Sequence, residues 1–393
     1  MSKGNDTART PVHLYVHVPV CRLKCAYCDF FSVAVFDLPM STAELAEALT
    51  RQAVAWSARG LDARPLETLY VGGGTPTILG PSLATLVSSL RECLGFAEGA
   101  EITIEANPDS LDDRLVDLLA EAGVTRVSLG VQSFHDDVLR LLGRPHDASR
   151  ALAAARTVRE SGLALSLDVM CGIPGQSMGS WVASLEYAIA TGAQHVSVYP
   201  LSLESGTPMA AEVLLGRLAE PDPDVAADMM TAACEILTRE GFTHYEISNY
   251  ARPGFESRHN TAYWSGKEYT GVGPGAHGML SATTARAAGL VVPDEVARVR
   301  YAIACDFTYG LDEAPRADIE TLSAQEAARE DVMLGLRMMA GVTVASVEDA
   351  ELTAVLERMA GLGLTECVDG RWRLTARGWL LGNEVFSAVW AGE

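Results

Sequence analysis

Three cysteines lie within eight positions near the start of the chain, at Cys21, Cys25 and Cys28. They follow a short apolar run, His13–Val18, which is typical of a buried strand, so the loop that leaves this strand carries the thiols. Three thiolates can bind three irons of a [4Fe–4S] cluster and leave the fourth iron open. An open coordination position is typical of a catalytic metal site, and the spacing therefore predicts reactive iron–sulfur chemistry.

Two other interpretations of the three cysteines are open. His17 could complete a Cys₃His zinc site, although the three-residue gap between Cys21 and Cys25 is unusual for zinc ribbons. The thiols could also be unligated buried side chains. The remaining cysteines are tens of residues apart, which favours small buried hydrophobic residues over a disulfide framework. They are Cys93, Cys171, Cys234, Cys305 and Cys367.

A glycine run at 72–74, followed by Thr75 and Pro76, comes directly after the second apolar stretch. Consecutive glycines let backbone groups approach a ligand closely. The run lacks the lysine and the spacing of a phosphate-binding P-loop, which disfavours a nucleoside triphosphate. It predicts either a ligand-binding turn or a plain turn between a strand and a helix.

Polar side chains end three further apolar runs, at Glu105, Gln132 and Asp168. The carboxyl ends of parallel strands meet at one edge of a sheet, so these side chains are expected to face one ligand. Glu105 could accept hydrogen bonds from an ammonium group, and Asp168 could accept them from ribose hydroxyls. Arg144 could meet a carboxylate. An ion pair, a helix cap or a surface position would explain such residues equally well.

Six apolar runs alternate with six amphipathic stretches over about 230 residues, which predicts parallel strands joined by crossover helices. The predicted strands are His13–Val18, Thr68–Val71, Glu101–Glu105, Arg126–Val131, Ala164–Val169 and His195–Tyr199. The predicted helices are Thr42–Ser57, Ser82–Leu94, Asp112–Ala122, Ala148–Ser161, Gly179–Ala190 and Pro223–Glu240. The first choice is an α/β fold with a partial (β/α)₆ barrel, and a flat doubly wound sheet is the second.

Three regions are expected: a barrel over 12–250, a covering segment over 251–320 and a C-terminal module over 321–393. Glycines punctuate 251–292, which is interpreted as irregular chain covering the barrel. The helical patterns Val332–Met339 and Asp349–Leu362 precede a predicted hairpin whose turn is Asp369-Gly370. The module is therefore mainly helical and winged-helix-like, with a packing or partner role rather than DNA binding.

The net charge of the 393-residue chain is −21, which excludes generic binding of nucleic acid or of an anionic membrane. No apolar run approaches the roughly 18–20 residues of a transmembrane helix, and residues 1–6 lack the apolar stretch of a secretory signal. A cytoplasmic protein is expected, with peripheral attachment to a membrane through a partner as an open alternative.

The segment 258–264 reads Arg-His-Asn-Thr-Ala-Tyr-Trp. His259 could be an axial iron ligand, and Tyr263 and Trp264 could pack a flat aromatic ligand. If His259 ligates the iron, the affinity for such a ligand should fall when the pH drops below the ordinary histidine pKa of about 6.5, because protons compete with iron for the ring nitrogen. His277 is the main rival ligand. An aromatic cluster with a hydrogen-bonded histidine explains the same residues without a ligand.

The spacing Cys21-x₃-Cys25-x₂-Cys28, with Tyr27 before the last cysteine, resembles the signature of the radical S-adenosylmethionine (SAM) superfamily. The wider pattern, from Tyr15 to the C-terminal module, is similar to the oxygen-independent coproporphyrinogen III oxidase-like family and, within it, to the HemW heme chaperone branch. His259-Asn260-x-x-Tyr263-Trp264 matches the HNxxYW motif of that branch.

The resemblance implies a [4Fe–4S] cluster on the three cysteines and SAM chelated to the open iron. In the superfamily an electron from the cluster cleaves SAM to a 5′-deoxyadenosyl radical, and the protein orients the cofactors. It also implies heme as cargo, with His259 as the heme-iron ligand. The implied SAM contacts are Tyr15, Tyr27, Gly73, Gly74, Thr75, Glu105, Gln132, Arg144, Asp168 and, through its backbone, Leu201.

Two departures from the oxidase favour the chaperone branch. Phe30 stands where the oxidases carry a fourth cysteine, and only 14 residues precede Tyr15, where the oxidases carry a long arm. The expected partners of a chaperone are a heme-accepting protein, with a respiratory protein as one candidate, and an electron donor for the cluster. A radical SAM oxidase of porphyrin biosynthesis is the alternative, and a structural zinc protein is a third class. Cleavage of SAM in the working cycle stays open.

Overall fold

A computed structural model describes residues 11–61, 65–347 and 349–392. The strands of the first half are β1 (His13–Val18), β2 (Val20–Cys21), β3 (Val33–Ala34), β4 (Leu66–Gly73), β5 (Phe96–Ala106), β6 (Arg126–Gln132), β7 (Ala164–Cys171) and β8 (His195–Pro200). Strands β1 and β4–β8 lie side by side in that order and run parallel. All six predicted strands are confirmed, and β2 and β3 form a separate short pair.

The helices of the first half follow these strands and cover the sheet. They are α1 (Thr42–Trp56), α2 (Pro81–Leu94), α3 (Asp113–Glu121), α4 (Asp136–Leu141), α5 (Ala148–Glu160), α6 (Met178–Ala190), α7 (Pro208–Leu214) and α8 (Pro223–Arg239). The six predicted helices are confirmed to within two residues. Helices α4 and α7 have six and seven residues, too few for a helical period to be recognised.

The strands alternate between an apolar face and a polar face, as a curved sheet with one dry side requires. On β1, Leu14 and Val16 are buried in the same apolar core as Leu49 of α1. The residues between them turn the other way, and His13 hydrogen-bonds across the inner face to Thr68 of β4, with 3.0 Å between Nδ1 and Oγ1. The inner face is therefore polar, and it surrounds the cavities described below.

Residues 243–323 contain more regular structure than the sequence predicts. The elements are β9 (Thr243–Glu246), β10 (Asn249–Ala251), α9 (Arg258–Trp264), β11 (Thr270–Val272), β12 (His277–Ser281), α10 (Ala282–Ala287), β13 (Val296–Ile303) and β14 (Ala317–Ser323). Strands β12–β14 form a small antiparallel sheet. The interpretation of 251–292 as irregular chain is wrong.

Strand β11 shows why this interpretation fails. It joins the main sheet parallel to β1, and the sheet order is β11-β1-β4-β5-β6-β7-β8-β10-β9, with open edges at β11 and β9. A strand of three residues is too short to show an alternating pattern of apolar residues in the sequence. A Cβ atom at Gly271 would lie 1.9 Å from the carbonyl oxygen of His277, so the glycine serves close packing rather than loop formation.

The C-terminal module has its own apolar core, which includes Leu336, Leu356 and Trp372. Its elements are α11 (Ala324–Leu336), β15 (Val342–Thr343), α12 (Ala350–Gly361), β16 (Thr365–Val368), β17 (Arg371–Leu374), α13 (Ala376–Leu380) and α14 (Gly382–Ala391). Strands β16 and β17 form the predicted hairpin. No described helix combines the length and the apolar character needed to cross a membrane.

Candidate functional site

A cavity of about 350 Å³ lies at the carboxyl ends of the parallel strands, and we call it the cluster cavity. All three clustered cysteines line it, and most of the other predicted site residues join them. These are Tyr27, Gly73, Gly74, Thr75, Glu105, Gln132, Arg144 and Asp168. Side chains from five separate strand ends are thus brought to one place, as the parallel topology requires.

The cysteine loop fits an iron–sulfur cluster better than a single zinc ion. In a cubane each thiolate binds a different iron, so the sulfurs need not converge on one point. No three His, Cys, Asp or Glu side chains of the described residues are placed to hold one metal ion. The two ring nitrogens of His17 are engaged with Tyr15 Oη and the carbonyl oxygen of Phe31, both at 3.0 Å. The zinc alternative therefore loses its fourth ligand.

A hydrogen-bond network holds two of the thiols. Arg144 Nη1 donates to Cys25 Sγ at 3.2 Å, and Thr75 Oγ1 donates to Cys21 Sγ at 3.6 Å. Asn107 joins the two supports: its amide donates to Thr75 Oγ1 at 2.9 Å, and its oxygen accepts from Arg144 at 2.6 Å. A guanidinium can donate a charge-assisted hydrogen bond to a sulfur that ligates iron. Sequence reasoning did not assign Asn107 to the site, although it stands two residues after Glu105.

Gly73 and Gly74 of the glycine run line the cluster cavity, and both pack closely against the segment that leads into the cysteine loop. Gly73 has a φ of 109°, and a Cβ atom there would lie 2.6 Å from the His17 ring. At Gly74 a Cβ atom would lie 2.5 Å from the carbonyl oxygen of Val20. The Gly73 amide donates to Glu105 Oε2 at 3.0 Å. The run therefore brings β4, β5 and the cysteine loop together, which a plain turn would not need.

Two half-buried carboxyl groups face the cluster cavity. Glu105 Oε1 accepts a hydrogen bond from Tyr70 at 2.8 Å, and Asp168 Oδ1 accepts one from Ser128 at 3.3 Å. Burial raises the pKa of Glu105 to about 7 and the pKa of Asp168 to about 6. A carboxylate that lacks a compensating charge is ready to accept a cation or a hydroxyl donor. Their chemistry fits the ammonium and ribose groups of SAM.

Gln132 reaches the cavity through an irregularity in its strand. Strand β6 pairs with β7 at Gly130 and Asp168, and the register then shifts so that Gln132 is opposite Val169. Gln132 has a φ of 65°, which is rare for a residue other than glycine. Bulges of this kind re-aim a side chain beside a functional site.

Two predicted SAM contacts lie elsewhere. Tyr15 lines a second cavity and hydrogen-bonds to His17. The Leu201 amide donates to the carbonyl oxygen of Cys171 at 2.9 Å, and its side chain packs in an apolar cluster with Met170 and Met209. The Leu201 amide is therefore engaged within the protein.

The second cavity, of about 620 Å³, adjoins the first, and we call it the aromatic cavity. Phe30 and Tyr199 line both cavities. Its walls come from β1 on one side of the open sheet and from Glu246 and Asn249 on the other. Its aromatic residues are Tyr15, Phe30, Phe31, Tyr70, Tyr199, Tyr263, Trp264 and Tyr269. The volume lies within the range of about 300–1,000 Å³ that is usual for small-molecule sites.

Helix α9 carries His259 into the aromatic cavity. Glu101 holds the start of this helix, because its Oε1 accepts from the His259 amide at 3.0 Å and its Oε2 accepts from the Arg258 amide at 3.1 Å. His259 Nδ1 is 2.8 Å from Thr68 Oγ1, and Thr68 also contacts His13. The residue is 8% exposed, and Nε2 makes no hydrogen bond to a described residue. Nε2 is thus the free atom of this imidazole.

Residues 15–188 match the radical SAM superfamily, and residues 322–381 match the HemN C-terminal domain. The protein named "Heme chaperone HemW" from Mycobacterium tuberculosis (strain ATCC 25618 / H37Rv) is 38% identical, covering 95% of this chain and 94% of its own length. The one from Bacillus subtilis (strain 168) is 34% identical, covering 95% and 98%. This chain belongs to the HemW family. The resemblance seen in its cysteine spacing is confirmed.

The solved structure of coproporphyrinogen III oxidase (HemN) from Escherichia coli has the same fold. The TM-score is 0.78, with 22% identity over 97% of this chain and 90% of that chain. The predicted partial barrel with a C-terminal helical module is therefore confirmed as the fold of this HemW-family chain. Its nine-stranded sheet stays open, and the aromatic cavity lies at the opening.

Three residues of the aromatic cavity have no signal in the sequence. Glu246 and Asn249 come from the short edge strands β9 and β10, and Arg337 comes from the end of α11 in the C-terminal module. Burial raises the pKa of Glu246 to about 7. No motif connects these positions with His259, because they meet it only through packing of distant segments.

Replacement of Asp168 by alanine is expected to weaken SAM binding by roughly 1–3 kcal/mol, about tenfold to a hundredfold, because one hydrogen-bond acceptor is lost. Calorimetry on protein with its cluster reconstituted measures the change. Iron and sulfide content should not change. Asp117→Ala, at an exposed position of α3, is the control. Equal SAM affinities for Asp168→Ala and the unsubstituted protein would remove Asp168 from the site.

Proposed function

We propose that this protein is a heme chaperone that holds heme in the aromatic cavity and a [4Fe–4S] cluster with SAM in the cluster cavity. One observation carries the proposal: the cavity lined by His259, Tyr263 and Trp264 shares Phe30 and Tyr199 with the cavity lined by the three cysteines. The HemW-named relatives over nearly the full chain support the same function.

The cluster and SAM, when bound, would supply one-electron chemistry. The part of this chain is to bind and orient them: Cys21, Cys25 and Cys28 would ligate irons, and Glu105 and Asp168 would accept hydrogen bonds from SAM. Arg144 would keep its hydrogen bond to the Cys25 sulfur and hold the loop in place.

Heme would bind with Nε2 of His259 on its iron and the rings of Tyr263 and Trp264 against the macrocycle. The two rings meet edge to face with centroids 4.5 Å apart. Iron needs the lone pair of Nε2, so the proton must be on Nδ1, which then donates to Thr68 Oγ1. Thr68 would thus orient the imidazole of His259 without contacting the iron itself.

The Thr68→Val variant tests this orientation. Valine keeps the shape but removes the acceptor of Nδ1–H, so heme affinity should fall by up to about 10–100-fold, the range for outer-shell partners of metal ligands. Absorbance titration with hemin measures it. Thr103→Val is the matched control, because the Thr103 hydroxyl on neighbouring β5 is buried and has no hydrogen-bond partner among the described residues. Equal losses in both variants would contradict a specific role of Thr68.

The same proposal is tested directly by titrating the purified protein with hemin before and after reconstitution of the cluster. A stoichiometric Soret change in the reconstituted protein is expected. No saturable binding in either state would reject the heme chaperone. The oxidase alternative is tested by anaerobic product analysis with coproporphyrinogen III, SAM and a reductant. Formation of the decarboxylated porphyrinogen would favour the oxidase over the chaperone.

Two protein partners belong to the proposal: an acceptor that takes the heme, with a respiratory protein as one candidate, and an electron donor for the cluster. The proposed place of action is the cytoplasm, with any contact to a membrane made through the acceptor. The net charge of −21 favours partners with basic surfaces over nucleic acid or anionic lipid. The boundaries between the three predicted regions, at 250/251 and at 320/321, remain predictions.

A further inference from the structure

The aromatic cavity has one cationic side chain among its described lining residues, Arg337. It caps the end of α11, so it comes from the C-terminal module and not from the barrel. Its carbonyl oxygen accepts from the Ile247 amide at 3.0 Å, which ties this part of the module to the edge of the sheet. The backbone at Arg337 is therefore held by a contact that does not involve its charge.

The guanidinium of Arg337 lies over two aromatic rings. Its Cζ atom is 4.2 Å from the centroid of Trp264 and 5.3 Å from that of Phe386. A guanidinium that lies against aromatic rings uses no N–H group in that contact and can still donate to a planar acceptor. Trp264 belongs to the segment that carries His259, so the guanidinium of Arg337 contacts the wall of the proposed heme site directly.

This cation forms no ion pair with a carboxylate of the described residues. Its Nε atom is buried without a hydrogen bond, and no described carboxylate lies within ion-pair distance of its side chain. Burial lowers the pKa of Arg337 from its usual value, and the charge of Glu246, which lines the same cavity, is the main influence that raises it. Arg144 in the cluster cavity differs, because it donates to Cys25, Asn107 and Gly130. An unpaired, partly buried guanidinium is costly unless a ligand completes it.

A carboxylate matches these requirements. It is planar, it accepts two parallel N–H bonds from one guanidinium, and it would offset the positive charge. Heme carries two propionate carboxylates on one edge of an otherwise apolar disc. The two anionic propionates are repelled by a chain of net charge −21, so one fixed cation in the cavity would favour entry of heme with the propionate edge toward that cation.

We propose that Arg337 binds a propionate carboxylate of heme, so that the C-terminal module selects the orientation of the cargo in the aromatic cavity. This inference rests on the proposed heme site and adds a specificity-determining residue to it. The macrocycle would then be held at its iron by His259 and at its edge by Arg337.

The experiment compares hemin with hemin dimethyl ester, which has the same iron and ring but neutral propionates. Both are titrated into the full-length protein with its cluster reconstituted, and the ratio of the two dissociation constants is taken for each protein. The unsubstituted protein should prefer hemin by about tenfold to a hundredfold, as expected for one charge-assisted contact. Because each ratio is measured within one protein, a partly misfolded fraction does not change it.

Arg337→Met should reduce this ratio to near one and leave the affinity for the diester unchanged, since methionine keeps the packing against Trp264. Arg337→Lys should keep part of the preference. Arg358→Met, at an exposed position of α12, is the matched control and should behave like the unsubstituted protein. If Arg337→Met prefers hemin as strongly as the unsubstituted protein does, the inference is overturned while the heme site stands. If the unsubstituted protein binds neither compound, the proposed function falls as well.

Discussion

The Cys25→Ala protein is expected to hold no stable [4Fe–4S] cluster after anaerobic reconstitution. Two thiolates would leave two irons without a protein ligand, and such a cluster is labile. The hydrogen bond from Arg144 to the Cys25 sulfur would be lost at the same time, which leaves a half-buried guanidinium without one of its acceptors. Iron and acid-labile sulfide analysis, with the absorbance of the cluster, measures the loss. Cys21→Ala and Cys28→Ala should behave in the same way.

Two matched variants separate ligation from a general effect of removing a thiol. Cys93 and Cys367 are exposed and lie outside both cavities, so their replacement by alanine should leave the iron and sulfide content unchanged. The assignment of the cluster would be wrong if Cys25→Ala kept the full complement of iron and sulfide. Loss of the cluster in Cys93→Ala as well would indicate that the reconstitution fails for reasons other than ligand count.

The second large effect is expected for His259→Ala, which should change the Soret spectrum of the heme complex and lower heme affinity. The loss should exceed the roughly 10–100-fold that removal of an outer-shell partner costs, because the iron ligand itself is removed. The iron–sulfur content should stay unchanged, since His259 is not among the residues that line the cluster cavity. Trp264→Ala should lower heme affinity without changing the spectral signature of the axial ligand, because it removes packing only.

His277 is the rival ligand, and it lines the same cavity from β12. An unaltered heme spectrum in His259→Ala together with an altered one in His277→Ala would transfer the role to His277. No change in either variant would leave the heme proposal without its iron ligand. The two histidines therefore serve as controls for each other within one titration series.

The sequence predicts that heme affinity falls below about pH 6.5, and the burial of His259 in the structure changes this expectation. Desolvation lowers the pKa of this imidazole to about 3. A histidine with a depressed pKa stays neutral until the pH falls to that value, so proton competition should not begin near 6.5. Heme affinity should therefore show no step from His259 between pH 8 and pH 5. A step centred near 6.5 that disappears in His259→Ala would contradict this expectation.

The amino-acid sequence determined the features that depend on neighbours along the chain. The cysteine ligands, the glycine run and the HNxxYW segment are each contained within a few residues, so their spacing is visible directly. The six strands and six helices were also predictable, because burial of one face imposes a period of 2 or 3.6 on the residues. Local caps confirm the helix starts, as at Ser41, whose hydroxyl accepts from the Glu44 amide at 3.2 Å.

Only the tertiary structure decided which of these features share a cavity. His259 meets Thr68 across 191 positions of sequence, and Arg337 of the C-terminal module stacks on Trp264 of the covering segment. The three-residue strand β11 exists because it pairs with β1 and not because of its own composition. The pKa values of Glu105 and His259 depend on burial, which no local sequence pattern predicts for these side chains. Contacts between distant segments follow from packing of the whole chain, and the position of the aromatic cavity beside the cluster cavity is such a contact.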